Sequence, residues 1–292
     1  MIKVLQGATG YPVSRLHVSN LAGTSLNSSD IRWKSPAEFI EPRRGEVQVW
    51  RAFLDVLPSY LESLCPILSV TERERAARFH FERDRSRFIV ARASLRILMG
   101  YYLRKPPSAI RFGYGPHGKP FLVGEETVDL RFNVSHSQGL ALYAVTLGAE
   151  VGVDLEYSDG NMDFEAIAER FFSVREIAAL RSLPEHEKRK AFFACWTRKE
   201  AYIKARGEGL LVSLNSFSVS LIPGEPARLL DVQSDPVESS RWSFLELVPE
   251  PRYVGALAVE GRGWRPRYWD FLGTDFKRYS VDMFPGTTNN PG

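Results

Sequence analysis

The chain has 292 residues, 44% of them hydrophobic and 25% charged, with a formal net charge of +3. This is an ordinary soluble globular composition, long enough for a substantial core in one large domain or two moderate ones. The charge is too small to argue for nucleic acid, two cysteines make neither a disulfide framework nor a zinc site, and no apolar run approaches the length of a membrane span. No signal peptide is visible in Met1–Asp30, and a cytoplasmic, reducing location is expected.

Residues 1–45 are rich in Ser, Asn, Gly and Pro and read as an extension, either loosely ordered or draped on the surface. Glu46–Leu57 reads as the first strand. Ser69–Leu103 reads as a helix capped at Ser69 or Thr71, with a stripe of Phe88, Ala91, Leu95, Leu98 and Tyr102, ended by Pro106-Pro107. Strands follow at Ile110–Phe112, Leu130–Val134 and Leu140–Leu147, the last apolar almost throughout and therefore buried.

A second pass starts at Val151. Strand Val151–Leu155 leads to helices around Phe164–Phe172, Val174–Ser182 and Glu185–Ala205, the last ended by Gly207 and Gly209. Strands are expected at Phe217–Leu221, Trp242–Leu247 and Tyr253–Val259. The tail from about Pro266 is aromatic at first, and Pro285–Gly292 reads as disordered. Leu140–Val145 echoes Val254–Val259. The sequence therefore predicts an α+β fold of two similar halves, 46–150 and 151–265, with a ligand cleft between them, an extension over 1–45 and a tail over 266–292.

Three stretches share one chemistry: Phe132–Ser137, Gly152–Glu156 and Trp196–Ala201. Their carboxylates, histidine, hydroxyls and lysines suit a hard divalent cation holding phosphate oxygens. Asp154 and Glu156 are two apart on a strand and share a face; Glu200 and Lys204 are four apart on a helix and share another. Taken alone, Glu200 with Lys204 is a surface ion pair worth roughly 0.3–0.5 kcal/mol. Trp196 reads as core.

Gly113–Pro120 nearly matches a phosphate-binding G-x-x-x-x-G-K-[ST] loop, but Pro120 supplies no hydroxyl and breaks the helix that should start there. A plain tight turn, or a turn carrying Lys119 to a phosphate, fit the spacing equally. Ser135 and His136 are adjacent on a strand and point apart, so they do not form a nucleophile–base pair. Between Glu72 and Arg111 eleven Arg or Lys face four acids. For any one of these arginines a solvated ion pair is the better reading; together they form a basic wall for an anion.

In order and separation, Gly118-Lys119-Pro120, Phe132–Ser137, Gly152–Glu156, Arg170-Phe171-Phe172 with Glu176, and Trp196–Ala201 with Lys204 resemble the Sfp-type 4′-phosphopantetheinyl transferase family over roughly residues 46–260. The resemblance implies two α+β halves around a coenzyme A cleft. It also implies an enzyme of the holo-[acyl-carrier-protein] synthase type: the 4′-phosphopantetheine arm passes from coenzyme A to a serine of an apo acyl or peptidyl carrier protein, releasing 3′,5′-ADP. By the same resemblance Asp154, Glu156 and Glu200 are expected to ligate Mg2+ (Mn2+ as the alternative). Glu200 is expected to be the general base, and Lys204 to contact the pyrophosphate. Ser135 and His136 would bind phosphates, His136 the 3′-phosphate. Lys119 and Pro120 would line the nucleotide site, and Arg75 would meet the 3′-phosphate. Where some members have a lysine and a threonine, this chain has Glu72 and Phe88, which would shift contacts onto Arg87 or Arg92.

Carrier proteins of this kind are acidic, so a groove near Phe164–Phe172 with basic neighbours is expected to dock one. Coenzyme A and the carrier are the partners, without nucleic acid or membrane, and a monomer is expected. A magnesium-dependent nuclease or phosphodiesterase is the runner-up, though such enzymes favour E-x-K on a strand and a basic DNA face. A non-catalytic coenzyme A or carrier-binding module is the third reading, opposed by the intact Asp154, Glu156, Glu200 and Lys204.

Overall fold

Strand β1 (Glu46–Phe53) buries Val47 and Val49 on one face and Gln48, Trp50 and Ala52 on the other, so both of its faces are covered. In this computed structural model, residues 31–36, 40–124, 129–159, 162–209, 212–233, 235 and 237–271 are described. The expectations for residues 1–30 and 272–292 lie outside them. β1 pairs antiparallel with β5 (Leu140–Leu147), which pairs antiparallel with β4 (Leu130–Ser137). A second sheet has β6 (Val151–Tyr157), β10 (Tyr253–Glu260) and β9 (Trp242–Leu247), again antiparallel. The orders β1-β5-β4 and β6-β10-β9 are the same, and the two echoing segments are the middle strand of each. The fold is α+β, and the duplication read from two apolar strands is present in the topology. β11 (Arg265–Asp270), at the start of the expected tail, returns to pair parallel with β1.

Each half carries one 22-residue helix on its sheet, α3 (Glu82–Leu103) in the first and α6 (Glu185–Arg206) in the second. Shorter helices precede them: α1 (Pro58–Leu64) and α2 (Val70–Ala77) in the first half, α4 (Phe164–Phe171) and α5 (Val174–Ser182) in the second. A four-residue α7 (Glu238–Arg241) precedes β9. Two small hairpins pair β2 (Phe112–Tyr114) with β3 (Pro120–Leu122) and β7 (Phe217–Val219) with β8 (Leu229–Val232).

The single helix expected over Ser69–Leu103 is broken. Ser69 caps α2 through a capping box with Glu72, α2 stops at Ala77, and Phe81 is extended before α3 restarts. The ring of Phe79, in the break, lies 5.3 Å from that of Phe88. α6 ends at Gly207 in the left-handed conformation (φ 71°), which a residue without Cβ adopts freely. α1, β3 and β8 escaped the sequence reading because three to seven residues carry too little periodicity. Among the described residues no helix is long and apolar enough to cross a membrane.

Three apolar clusters hold these parts. One lies under α3 (Trp50, Leu95, Leu98, Tyr143) and one under α6 (Phe192, Trp196, Tyr202, Phe217). The third joins the two sheets through Val47, Val49 and Leu142 on one side and Val151, Val153, Leu155 and Leu257 on the other. Since Val151, Val153 and Leu155 take that face of β6, Gly152, Asp154 and Glu156 take the opposite one.

Candidate active site at the seam between the halves

β4 and β6 belong to different sheets, yet they are joined by side chains. Asn133 Oδ1 accepts the Val153 N–H at 2.9 Å, Ser135 Oγ the Leu155 N–H at 3.2 Å and Ser137 Oγ the Tyr157 N–H at 3.1 Å. The period of two on each strand makes this ladder possible. It satisfies buried amides that a strand partner would otherwise take. A hydroxyl that accepts still has one proton to give. Ser135 donates it to Asp154 Oδ1 at 3.0 Å and Ser137 to Glu156 Oε2 at 3.2 Å.

Gly152 admits α6 to this face of β6. A Cβ there would sit 2.0 Å from the Ala201 carbonyl oxygen and 2.4 Å from the Ala205 nitrogen, so the helix backbone lies directly on the glycine. The close approach carries Glu200 and Lys204 to the carboxylates. Lys204 Nζ donates to Asp154 Oδ1 at 2.5 Å and to Ser135 Oγ at 3.0 Å. Burial opposes the ammonium charge, but Asp154 and Glu200 outweigh it and hold Lys204 above its ordinary value; Glu156 adds in the same direction. Glu200 is pushed upward by burial and then by the Asp154 carboxylate, with Lys204 acting against both. All three carboxylates thus act on Lys204, and Asp154 and Lys204 act on Glu200.

The fit of a cation rests on Asp154. The residue is 3% exposed, and its Oδ2 is buried without a hydrogen-bond partner among the described residues. An orphaned carboxylate oxygen beside a second carboxylate is a hard-oxygen site for a divalent ion. Among the described residues no three His, Cys, Asp or Glu side chains form a ready metal-holding group. The Asp154 carboxylate acts on Glu200, and Glu156 stands two residues further along the same face of β6.

The remaining expected residues lie around this centre in different states. His136 is exposed and Ser135 buried, on opposite faces of β4. The Gly113–Pro120 segment is a hairpin turn, with Pro120 in β3 and Gly118 at φ 81°. Its Lys119 is held by Glu150 Oε2 at 2.6 Å and the Ala205 carbonyl at 2.7 Å. Lys119 and Pro120 help line a cavity of about 670 Å3 beside Arg131 and Arg206, and none of the three carboxylates lines it.

Most of the basic wall is neutralised locally. Arg87 grips Asp55 with two bonds, at 2.7 and 2.8 Å. Arg92 pairs with Glu72 and Tyr114, and Arg96 with the same Glu72 at 2.6 Å. Burial pushes the Glu72 carboxyl up, but Arg96, the Ser69 N–H and Arg92 bring it net below its ordinary value. Among the described residues Arg75 has no carboxylate partner; its guanidinium lies 5.3 Å over the ring of Phe88.

Two segments of the sequence pattern are structural. Phe172 is 2% exposed and stacks on Phe192, so it belongs to the core, while Phe164, Ile167 and Phe171 stay half-buried, Phe171 meeting Trp196 edge-on. Glu176 and Lys199 form a buried ion pair at 2.7 Å, and Arg198 pairs with Glu246 at 2.9 Å. The sequence reading gave Asn133, Ser137 and Gly152 no individual role. The alternation Asn133–Ser135–Ser137 is the signal that could have marked the first two.

Residues 150–258 match the family model of the 4′-phosphopantetheinyl transferase superfamily, and residues 56–147 match that of the 4′-phosphopantetheinyl transferase N-terminal region. The two matches meet at the turn between β5 and β6. The chain is 45% identical to the 4′-phosphopantetheinyl transferase HetI of Nostoc sp. PCC 7120 over 228 residues, 77% of this chain and 92% of that one. It is 32% identical to the 4′-phosphopantetheinyl transferase Sfp of Bacillus subtilis strain 168 over 160 residues, 55% of this chain and 69% of that one. The crystal structure of Thermotoga maritima holo-[acyl-carrier-protein] synthase overlaps with a TM-score of 0.32 at 24% identity, covering 39% of this chain and 63% of its own.

Proposed function

Because this chain belongs to the 4′-phosphopantetheinyl transferase superfamily, we propose that Asp154, Glu200 and Lys204 at the seam carry its transfer reaction. The enzyme moves the 4′-phosphopantetheine arm of coenzyme A onto a carrier protein. In that reaction a serine oxygen of the carrier forms a bond to the pantetheine-bearing phosphorus. The diphosphate bond breaks and 3′,5′-ADP departs with the electron pair. The nucleophile belongs to the carrier, which is why no activated serine or cysteine is needed here.

Glu200 takes the serine proton. Before a cation binds, burial and the Asp154 carboxylate raise its carboxyl value toward the range where a general base works best. Lys204 remains an ammonium, since two carboxylates outweigh its burial, and it faces the negative charge of the departing ADP. Asp154 orients that ammonium, and Ser135 orients Asp154. Mg2+, or Mn2+, held by Asp154, Glu156 and Glu200, would screen the diphosphate charge against the incoming oxygen. Arg75, without a carboxylate partner among the described residues, is the cation we assign to the 3′-phosphate, with exposed His136 as a second contact.

The observation that carries this reading is the meeting of α6 and β6: a base, an ammonium and an orphaned carboxylate oxygen in one electrostatically coupled group. Incubation with coenzyme A, Mg2+ and a panel of apo acyl and peptidyl carriers, followed by intact mass, tests it. The expected result is a carrier heavier by one phosphopantetheine. No gain on any carrier, or an undiminished gain after Asp154→Asn with Glu200→Gln, overturns the residue assignment.

A further inference from the structure

We infer that Ser137 is a positioning residue for Glu156, so that the first half of the molecule aims a carboxylate belonging to the second. The inference rests on the transferase reading of the seam and adds a residue to it.

Ser137 is the last residue of β4 and is 2% exposed. Its Oγ accepts the Tyr157 N–H at 3.1 Å and donates to Glu156 Oε2 at 3.2 Å. A hydroxyl has one proton, and the accepted N–H fixes the side on which its lone pair sits. The proton is then left facing the carboxylate. In this arrangement Ser137 bridges the side chain of Glu156 to the amide of the residue that follows it.

The same device occurs two residues earlier. Ser135 bridges the Asp154 carboxylate, at 3.0 Å, to the Leu155 N–H, at 3.2 Å. Two carboxylates in register are each locked to their own backbone by a serine from the facing strand. Ser135 also receives Lys204, which gives it a share in the charge network. No such cation bonds Ser137 among the described residues, and its burial keeps it away from a phosphate in the cleft. Its remaining role is geometric. A long acid side chain left to itself samples several rotamers, and holding one of them lowers the cost of closing on a cation.

Titration of Mn2+ by electron paramagnetic resonance, with saturating coenzyme A and no carrier, tests the inference without turnover. Ser137→Ala is expected to weaken Mn2+ binding about tenfold or more, the usual cost of losing an outer hydrogen bond to a metal ligand. Coenzyme A binding without metal should be unchanged, and Ser137→Thr should restore Mn2+ affinity. In a Glu156→Gln background the alanine change should add nothing. If Ser137→Ala fails to fold, Ser137→Cys fills the space while weakening the donor and should show the same loss. Wild-type Mn2+ affinity in a folded Ser137→Ala or Ser137→Cys overturns the positioning role while leaving the transferase reading intact. Absence of Mn2+ binding in the wild type overturns the metal assignment and the positioning role with it.

Discussion

Lys204 and Asp154 meet at 2.5 Å, fifty residues apart in the chain and on different elements, and among the described residues neither has another formal charge partner as close. Lys204→Met would leave the 5%-exposed Asp154 side chain charged, with one oxygen already unpaired. Losing a partner of a buried pair is expensive, and the partial exposure of Lys204 reduces the loss to about 2–3 kcal/mol. Transfer should fall about 100-fold or more through lost charge stabilisation. Urea denaturation and steady-state transfer measure the two effects. A variant as active as the wild type would remove Lys204 from the site.

The pH behaviour of Glu200 has two opposite signs. Its folded carboxyl value is raised, by burial first and by Asp154 second. Its contribution to stability is present in full below the ordinary glutamate value and is lost as pH rises through the raised one. Activity runs the other way, since a base works only when ionised. A cation on Glu200 favours its ionised form and opposes both causes of the rise, so the raised value belongs to the metal-free protein. In the Mg2+-loaded enzyme Glu200→Gln should abolish the acid limb of kcat/KM and lower the rate about 100-fold or more. An acid limb that survives unchanged in the Gln variant argues against Glu200 as base.

Asn133 is 4% exposed and accepts the Val153 N–H at 2.9 Å. Asn133→Ala leaves that buried amide without a partner, at a cost of about 1–3 kcal/mol. The urea midpoint should drop accordingly with an unchanged slope. A shift below about 0.5 kcal/mol would mean that the ladder does not hold the seam.

Gly152→Ala places a methyl group against helix backbone, 2.0 Å from the Ala201 oxygen. Backbone cannot rotate aside, so α6 must move off β6. The expected loss is about 3 kcal/mol or more, at the upper end for overpacking. Glu200 and Lys204 move with the helix, so the residual folded enzyme should transfer slowly while still binding coenzyme A. A folded, fully active variant would show that the close approach is dispensable.

Arg75 is expected to meet the 3′-phosphate, because Arg87 and Arg92 are already bound to Asp55 and Glu72. Arg75→Ala should raise the KM for coenzyme A about tenfold, in the range of one charged hydrogen bond, and leave that for 3′-dephospho-coenzyme A nearly unchanged. Equal effects on both substrates would place Arg75 elsewhere.

Much of this centre was legible before any fold was known. Val174–Ser182, Trp242–Leu247 and Leu140–Leu147 are the elements their sequences predict, because caps and apolar runs are local signals. Asp154 with Glu156, and Glu200 with Lys204, share faces as their spacings require. The burial of Phe172 was not legible. Aromatic residues at Phe171 and Phe172 look alike whether they face solvent or a neighbouring helix, and here the neighbour is Phe192 and Trp196. The same holds for Arg87 and Arg92, whose acid partners lie 32 and 20 residues away.

By itself the sequence determined which side chains share a face, where helices start and stop, and which motifs place the chain in its family. Periodicity fixes orientation within an element and nothing beyond it. Which element looks at that face is decided by packing between segments far apart in the chain. Only the tertiary structure could set Gly152 under α6, Lys204 against Asp154, and the three polar side chains of β4 against the amides of β6.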